Sequence, residues 1–289
     1  MDEKDIEIFS ELMKTGNVTR AADNLFTTQS AVTKRIQHLE EDLGCQLFIR
    51  TKRGVIPTAQ AEHILPLLDG VSQSLQNIRN YTACSHGEIS GSVKLGTSIN
   101  YAHYRLAPLL KEFMAEYPKV DVSVTTGQSS HLFKLLTDNQ LSIVIIRGNY
   151  SWDDGCIELG SEPVCLVRGR DDADKSLDEL PFIRRKSDSG FEEQLQRWIR
   201  EQGIHINRAP LEINDISACL AMVSAGIGWT VLPKICLSGF DGICTPLNFK
   251  DGTAFTRSTH LLYRQSQYEL AQVRCFIEKV LAYEGAQIK

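Results

Sequence analysis

The sequence lacks a long apolar run and has no excess of positive charge. No hydrophobic stretch approaches the roughly 18 residues of a membrane span, and the acidic N-terminus has no apolar core typical of a signal peptide. We therefore expect a cytoplasmic protein with no membrane partner. The 31 Lys and Arg residues are outnumbered by 36 Asp and Glu residues, so the net charge is -5. Any nucleic-acid binding must depend on local positive charge.

The cysteines form no metal-binding or disulfide pattern. No C-x-x-C pair occurs, and His86, two residues after Cys84, is a lone neighbour and not part of a metal-ligand spacing, which is typical of a reduced intracellular protein. We expect most of these thiols to be buried and inert. The eight residues are Cys45, Cys84, Cys156, Cys165, Cys219, Cys236, Cys244 and Cys275.

Motifs for catalysis or cofactor binding are also missing. The seven histidines fall in different segments, and neither a nucleophile elbow nor a Walker loop is present. Gly226 and Gly228 fit the end of a helix and the start of a strand better than a phosphate loop. The sequence therefore predicts no catalytic residues, no metal and no cofactor.

Residues 17–53 carry the most specific pattern in the chain, two short helices followed by a basic loop. Asn17 can cap a first helix that runs to Phe26, and Thr28 can cap a second helix from Gln29 to Asp42. The second helix has one apolar stripe, which we expect to pack against the first: Val32, Ile36, Leu39 and Leu43. A helix-turn-helix needs this arrangement, with an apolar back and a polar face for the major groove.

The polar face and the loop supply suitable groups for DNA. Short and amide side chains suit base edges, and the basic turn that ends at Gly54 would grip phosphates as a wing. The predicted DNA-binding residues are Arg20, Thr28, Gln29, Ser30, Thr33, Lys34, Arg35, Gln37, Arg50, Lys52 and Arg53.

The segment from about Ile6 to Glu62 resembles the N-terminal winged helix-turn-helix of LysR-type transcriptional regulators. The matching residues are Phe9, Ala21, Ala22, Leu25, Gln29, Ala31, Ile36, Leu39, Glu40, Leu43, Gly44, Leu47, Phe48 and Arg50. Ser30 and Thr33 depart from the proline and serine that the family often has there. The resemblance implies a regulator that binds double-stranded DNA with inverted-repeat half-sites, as a homodimer or homotetramer.

A long helix from Ala59 to about Thr82 follows the wing. Its apolar residues have heptad spacing, which favours a seam with a partner helix, although the stripe could instead pack on its own domain. The predicted dimerisation residues are Ile64, Leu68, Val71, Leu75 and Ile78. Pro66 should bend this helix or interrupt its hydrogen-bond ladder. We assign residues 1–58 to the DNA-binding domain and 59–91 to this helix and a polar hinge.

From Ser92 onward, strands alternate with helices, which predicts an α/β domain with a parallel sheet. The predicted first lobe has strands at 93–96, 120–126 and 141–146, with helices at 101–117 and 131–138. A second set follows, with strands at 162–168, 182–184, 210–213 and 229–232 and helices at 191–202 and 216–225. One final helix, 267–284, closes the chain.

This region is similar to the LysR effector domain, which has the two-lobed fold of periplasmic binding proteins. The resemblance depends on the segments 93–96, 106–110, 117–118, 223–228 and 232–233. It implies an effector-binding domain over 92–289, with lobe I at about 92–164 and 265–289 and lobe II at about 165–264.

Polar residues follow the predicted strands where a ligand would bind. In open parallel sheets, ligands lie beyond the carboxyl ends of strands, against helix N-termini that favour anions. We therefore expect a small carboxylate effector, with Arg147 as its charged anchor. The predicted effector-binding residues are Ser98, Ile99, Asn100, Gln128, Ser129, Ser130, Arg147, Ser187 and Asp188.

Two alternatives stay open from the sequence. The pairs Cys156/Cys165 and Cys236/Cys244 could make the protein a thiol redox-sensing regulator of the same fold. The N-terminal helices could instead mediate only protein contacts, in a ligand-binding protein or enzyme that does not act on DNA.

Overall fold

The computed structural model describes residues 1–51, 54–83, 89–206 and 209–287. The chain divides into two compact units, with the main boundary at residues 87–88. The N-terminal unit is helical with one β-hairpin, and the C-terminal unit is a mixed α/β structure. Among the described residues, no helix is long and apolar enough to cross a membrane.

Three helices form the core of the N-terminal unit: α1 Glu3–Thr15, α2 Val18–Asn24 and α3 Gln29–Leu43. The Asn17 side chain accepts hydrogen bonds from two backbone N–H groups at the start of α2, and Thr28 accepts one at the start of α3, as predicted. Ala21 and Ala22 are buried, and their small side chains let the neighbouring helices pack closely.

Two details of this motif differ from the prediction. Helix α2 ends at Asn24, and Phe26 instead lies in the connecting turn with a φ of 51°. Leu43 does not join the buried stripe, because it lies in the last turn of α3 and 39% of it is exposed. Val32, Ile36 and Leu39 are buried as expected.

The wing is an antiparallel hairpin of β1 (Phe48–Thr51) and β2 (Gly54–Pro57). Gly54 has a φ of 134°, and a Cβ atom there would lie 2.3 Å from the carbonyl oxygen of Gly16. The next residue, Val55, donates its N–H to the same oxygen at 2.9 Å. Glycine is therefore required where the wing contacts the end of α1. Lys52 and Arg53 lie outside the described residues.

Helix α4 (Ala59–Ala83) contains Pro66 and continues past it. Proline has no backbone N–H, so one hydrogen bond of the ladder is missing at this position. Most of the predicted hinge at 84–91 lies outside the described residues.

The C-terminal unit contains strands and helices in alternation over its first half. Its strands are β3 Gly91–Ser98, β4 Val120–Gly127, β5 Ile143–Arg147, β6 Gly155–Arg168, β7 Ile183–Arg184, β8 Leu211–Glu212, β9 Thr230–Pro233, β10 Ile243–Pro246 and β11 Thr256–Tyr263. Its helices are α5 Ile99–Tyr101, a π-helical stretch Ala102–Leu106, α6 Ala107–Glu116, α7 Ser129–Thr137, α8 Ser189–Gln202, α9 Ile216–Ser224, α10 Gln265–Tyr268 and α11 Ala271–Glu284.

The main sheet is mixed, not wholly parallel as predicted. Its strand order is β10-β6-β11-β5-β3-β4, and β9 also pairs with β6. Strands β3, β4 and β5 are parallel, whereas β11 runs antiparallel to both β5 and β6. Because β11 hydrogen-bonds to β5, it belongs with the sheet of lobe I, although the sequence had assigned its residues to lobe II.

The long strand β6 connects the two lobes. Its first half pairs with β11, and its second half pairs with β9 and β10. The lobe I core includes Phe113 and Phe276, and one of the lobe II cores includes Trp229 and Phe255. The predicted final helix is two helices, because Leu270 is the extended N-cap residue of α11.

Candidate functional site

Helix α3, the recognition helix, presents a free polar face. Gln29, Ser30, Lys34 and Gln37 are exposed, and Thr33 is partly exposed. The Thr28 hydroxyl accepts the Ala31 N–H at 3.2 Å and lies 3.0 Å from the Ser30 hydroxyl. Thr28 and Ser30 therefore order the start of the helix, while the longer side chains are free to meet base edges.

The basic residues around α3 differ in exposure and in their hydrogen-bond partners. Arg20 on α2 and Arg50 on β1 are exposed. Arg35 instead contacts α1, where its Nη1 atom donates to the carboxylate of Asp5 at 2.7 Å and to that of Asp2 at 2.8 Å. The hydrogen bond from Arg35 lowers the pKa of Asp2. Arg35 thus has an internal role that the sequence did not predict.

The predicted dimerisation residues on α4 differ in burial. Leu68 is buried and Ile64 is partly buried, and both pack into the core of the same N-terminal unit. Val71 and Ile78 are 42% and 61% exposed, and Leu67 is 69% exposed. Leu67, Val71 and Ile78 are four and seven residues apart, so they share one helix face. The exposed apolar stripe therefore differs from the predicted one and includes Leu67.

All of the predicted effector residues line one cavity between the lobes of the C-terminal unit. The lining consists of Ser98, Ile99, Asn100, Gly127, Gln128, Ser129, Ser130, Arg147, Arg185, Lys186, Ser187, Asp188, Phe191, Val231, Leu232, Pro233 and Arg257. The cavity volume is about 80 Å³. A second cavity of about 530 Å³ adjoins it and shares Gln128, Ser130, Ser187, Asp188 and Arg257.

Arg147 lies at the end of β5 and is 4% exposed. Its guanidinium pairs with Glu162 of β6, and its backbone N–H donates to the Ser129 hydroxyl at 3.0 Å. Burial lowers the pKa of Arg147, and the charge of Glu162 opposes this effect. Its Nε and Nη1 atoms have no oxygen or nitrogen partner among the described residues. The positive charge is thus already compensated, but donor groups remain unused.

Arg257 on β11 is a site residue that the sequence analysis missed. It is 8% exposed, pairs with Asp188 and donates to the carbonyl oxygen of Arg147 at 3.2 Å. Asp188 also caps α8 by accepting the Phe191 N–H at 3.1 Å. Burial alone would raise the pKa of Asp188, but Arg257 outweighs it and the pKa is lowered. Asp188 is therefore an ionised structural partner of Arg257.

Arg185 and Lys186 were also absent from the predicted set, although they fall in the loop that was expected to face the cavity. Both line it, and neither pairs with a carboxylate within the described ranges. The Nε atom of Arg185 is buried and has no hydrogen-bond partner there. The unpaired positive charge of the cavity therefore lies on the loop after β7.

The seven described cysteines are all free thiols. Cys156 and Cys165 lie nine residues apart on the same strand, so about 30 Å separates them. Cys236 is buried beside Arg147, and burial raises the pKa of its thiol to about 11. No three potential metal-ligating His, Cys, Asp or Glu side chains cluster in the described part of the chain.

The sequence matches two family models that together span most of the chain. Residues 4–62 match the bacterial regulatory helix-turn-helix protein, lysR family, and residues 86–284 match the LysR substrate binding domain. The HTH-type transcriptional regulators YraN and YkuM of Bacillus subtilis (strain 168) are 32% and 31% identical to it. These alignments cover 96% and 91% of this chain and the same shares of the relatives.

Solved structures share the same fold along the whole chain. A full-length OxyR variant from Pseudomonas aeruginosa has a TM-score of 0.71 at 18% identity, over 97% of this chain and 95% of its own. Full-length CbnR in complex with its target DNA has a TM-score of 0.69 at 18% identity, over 98% of this chain and 100% of its own. The chain belongs to the LysR family, as a DNA-binding transcription regulator with a C-terminal effector-binding domain.

Proposed function

We propose that this regulator responds to a small anionic metabolite, best a carboxylate, bound in the cavity between the lobes. The observation that carries the proposal is the charge of the lining. Four cationic side chains, those of Arg147, Arg185, Lys186 and Arg257, face the cavity with one carboxylate, that of Asp188. Charge-assisted hydrogen bonds from such groups favour a carboxylate ligand.

The anchor for the ligand's charge is the Arg185-Lys186 loop rather than Arg147 alone. Arg147 is paired with Glu162 and Arg257 is paired with Asp188, so neither adds much net positive charge. Arg185 and Lys186 have no such partner among the described residues. Arg147 would contribute its unused Nε and Nη1 donors, and the buried Ser98 hydroxyl also has no partner within the described structure.

The N-terminus of one helix adds to the preference for an anion. Helix α7 begins at Ser129, a cavity residue, whereas the N-terminus of α8 is already capped by the Asp188 carboxylate. The first N–H groups of a helix and its dipole attract negative charge.

The ligand would act on DNA binding through a shift between two arrangements of the protein. Binding must be stronger in one arrangement than in the other, because equal affinity shifts no equilibrium. We propose that the assembly is a homodimer or homotetramer that reads inverted half-sites, with the recognition helices spaced by the α4 contacts.

Calorimetry with a panel of small mono-, di- and tricarboxylates tests the ligand class. We expect Arg185→Gln to weaken binding of the best carboxylate about tenfold or more, since it removes a charge-assisted hydrogen bond. Arg170→Gln is the matched control, because Arg170 is exposed in the same unit and does not line the cavity. Tighter binding of neutral analogues, or equal binding by Arg185→Gln and wild type, would contradict the proposal.

A further inference from the structure

Phe26, in the turn between α2 and the recognition helix, is the most exposed large hydrophobic residue of the described chain. It is 99% exposed, whereas Phe9 and Phe48 of the same unit are buried. An aromatic ring in water gains nothing from its apolar surface. The packing of the N-terminal unit therefore does not account for a phenylalanine at this position.

The backbone does not account for it either. Phe26 has a φ of 51°, in the left-handed region that bulky residues rarely adopt. The other non-glycine residue with positive φ in the described ranges is Asn139, and asparagine adopts this conformation readily. Glycine or asparagine would suit residue 26 better, so the phenylalanine ring is a departure from what the turn requires.

The turn places Phe26 two residues before Thr28, the N-cap of the recognition helix. The Phe26 N–H donates to the Asp23 carbonyl at 3.2 Å, and the Thr27 N–H donates to the Ala22 carbonyl at 2.9 Å. After the partly buried Thr27, the residues Thr28, Gln29 and Ser30 are exposed. Phe26 is thus close in the chain to the N-terminal end of the recognition helix, the part that enters the major groove in helix-turn-helix proteins.

We propose that Phe26 is a DNA-contacting residue whose ring packs on an apolar part of the duplex, a thymine methyl group or a deoxyribose. The thymine methyl group is the apolar feature of the major groove. This contact would supply apolar burial that the polar side chains of α3 do not. The strained backbone and the exposed ring in the free protein are then explained by burial in the complex.

Substitutions with opposite effects on stability and DNA binding test the proposal. The probe is a duplex enriched from a random-sequence pool by the wild-type protein. Phe26→Asn suits the left-handed backbone, so its melting temperature should equal or exceed that of the wild type. Its affinity for the duplex should fall about tenfold, because the apolar contact is lost. The salt slope should not change, since no phosphate contact is removed.

Two further variants complete the test. Phe26→Gly should behave like Phe26→Asn in DNA binding, whereas Phe26→Trp, which keeps an apolar ring, should retain the affinity of the wild type. Wild-type affinity in both Phe26→Asn and Phe26→Gly would overturn the proposal, and with impaired transcription it would assign the ring to a protein partner. A lower melting temperature for Phe26→Asn would also overturn it, because the ring would then be part of the core.

Discussion

The guanidinium of Arg35 on the recognition helix donates to the carboxylate of Asp5 on α1 at 2.7 Å. Asp5 is 4% exposed, and it forms a capping box with Asp2, which accepts from the same guanidinium. The arginine therefore connects the recognition helix to the start of α1. A phosphate group would have to compete with two carboxylates for it, so we expect Arg35 to position the helix instead of contacting DNA.

Substitutions of Arg35 and its neighbour Lys34 distinguish a residue that positions the recognition helix from one that contacts a phosphate. Arg35→Gln should lower the melting temperature and leave the salt slope of DNA binding unchanged. Lys34→Gln should leave the melting temperature unchanged and, if Lys34 contacts a phosphate, reduce the salt slope by about 0.9. Thermal melts and duplex titrations at several salt concentrations measure both quantities. A reduced slope in Arg35→Gln would assign the residue to the phosphate backbone.

The stabilising effect of Arg35 should depend on pH. The folded protein holds the pKa of Asp2 below its usual value of about 3.9. The stabilisation is therefore present above this usual value and is lost as the pH falls through the lowered one. The melting-temperature difference between wild type and Arg35→Gln should narrow in acid. A difference that widens below pH about 4 would contradict the assignment.

Base recognition should depend on the exposed amide at the start of α3. We expect Gln29→Ala to weaken binding to the selected duplex by about 1–3 kcal/mol and to reduce discrimination among its sequence variants. Arg50→Gln is the comparison, because a wing residue that contacts phosphate should weaken binding to all duplexes equally. Unchanged discrimination in Gln29→Ala would remove this residue from base readout.

The α4 stripe predicts how the chains pair. Ile78→Glu and Leu75→Glu should give smaller oligomers in sedimentation experiments, because each buries an unpaired charge in the interface. Leu68→Glu should instead unfold the N-terminal unit, since Leu68 is already buried within its own chain.

Ile56→Glu is the control for the assembly test, because Ile56 is a 54% exposed apolar residue on the wing. It should leave the oligomer intact. A full-sized oligomer in both Ile78→Glu and Leu75→Glu would show that α4 does not form the seam.

Thiol reactivity separates metabolite sensing from redox sensing. The pKa of Cys236 is about 11, so only about one thiol in ten thousand is ionised at pH 7. Alkylation of the native protein at pH 7 should modify the exposed Cys156 and Cys244 and leave Cys236 unmodified. Mass mapping of the labelled protein measures this. Rapid labelling of Cys236, or a disulfide to Cys244 after peroxide treatment, would favour the redox alternative.

Structural features that depend on residues close together in the chain could be predicted from the sequence. The caps Asn17 and Thr28 mark their helices locally, and the loops after β3, β4 and β5 meet because parallel strands end at one edge of the sheet. This is why the predicted effector residues converge on one cavity. The same local reasoning identified the polar face of α3.

The missed features depend on distant or irregular pairing. Arg257 lies in a strand whose centre is polar, so β11 has no clear hydrophobic alternation and was not predicted. Glu162 on β6 reaches Arg147 on β5 because the antiparallel strand β11 lies between these two strands. No local pattern in the sequence predicts this strand pairing. The Arg35–Asp5 contact likewise joins residues 30 positions apart in the chain.

The central claim is that a carboxylate bound in the cavity changes DNA binding. The most direct test is the affinity of the wild-type protein for its selected duplex, measured with and without the carboxylate that binds tightest in calorimetry. We predict that saturating carboxylate changes this affinity at least about fivefold, the lower range of allosteric coupling. Arg185→Gln should bind the free duplex normally and lose the response at the same ligand concentration. An unchanged duplex affinity in wild type at saturating carboxylate, or an equal response in Arg185→Gln, would contradict the account.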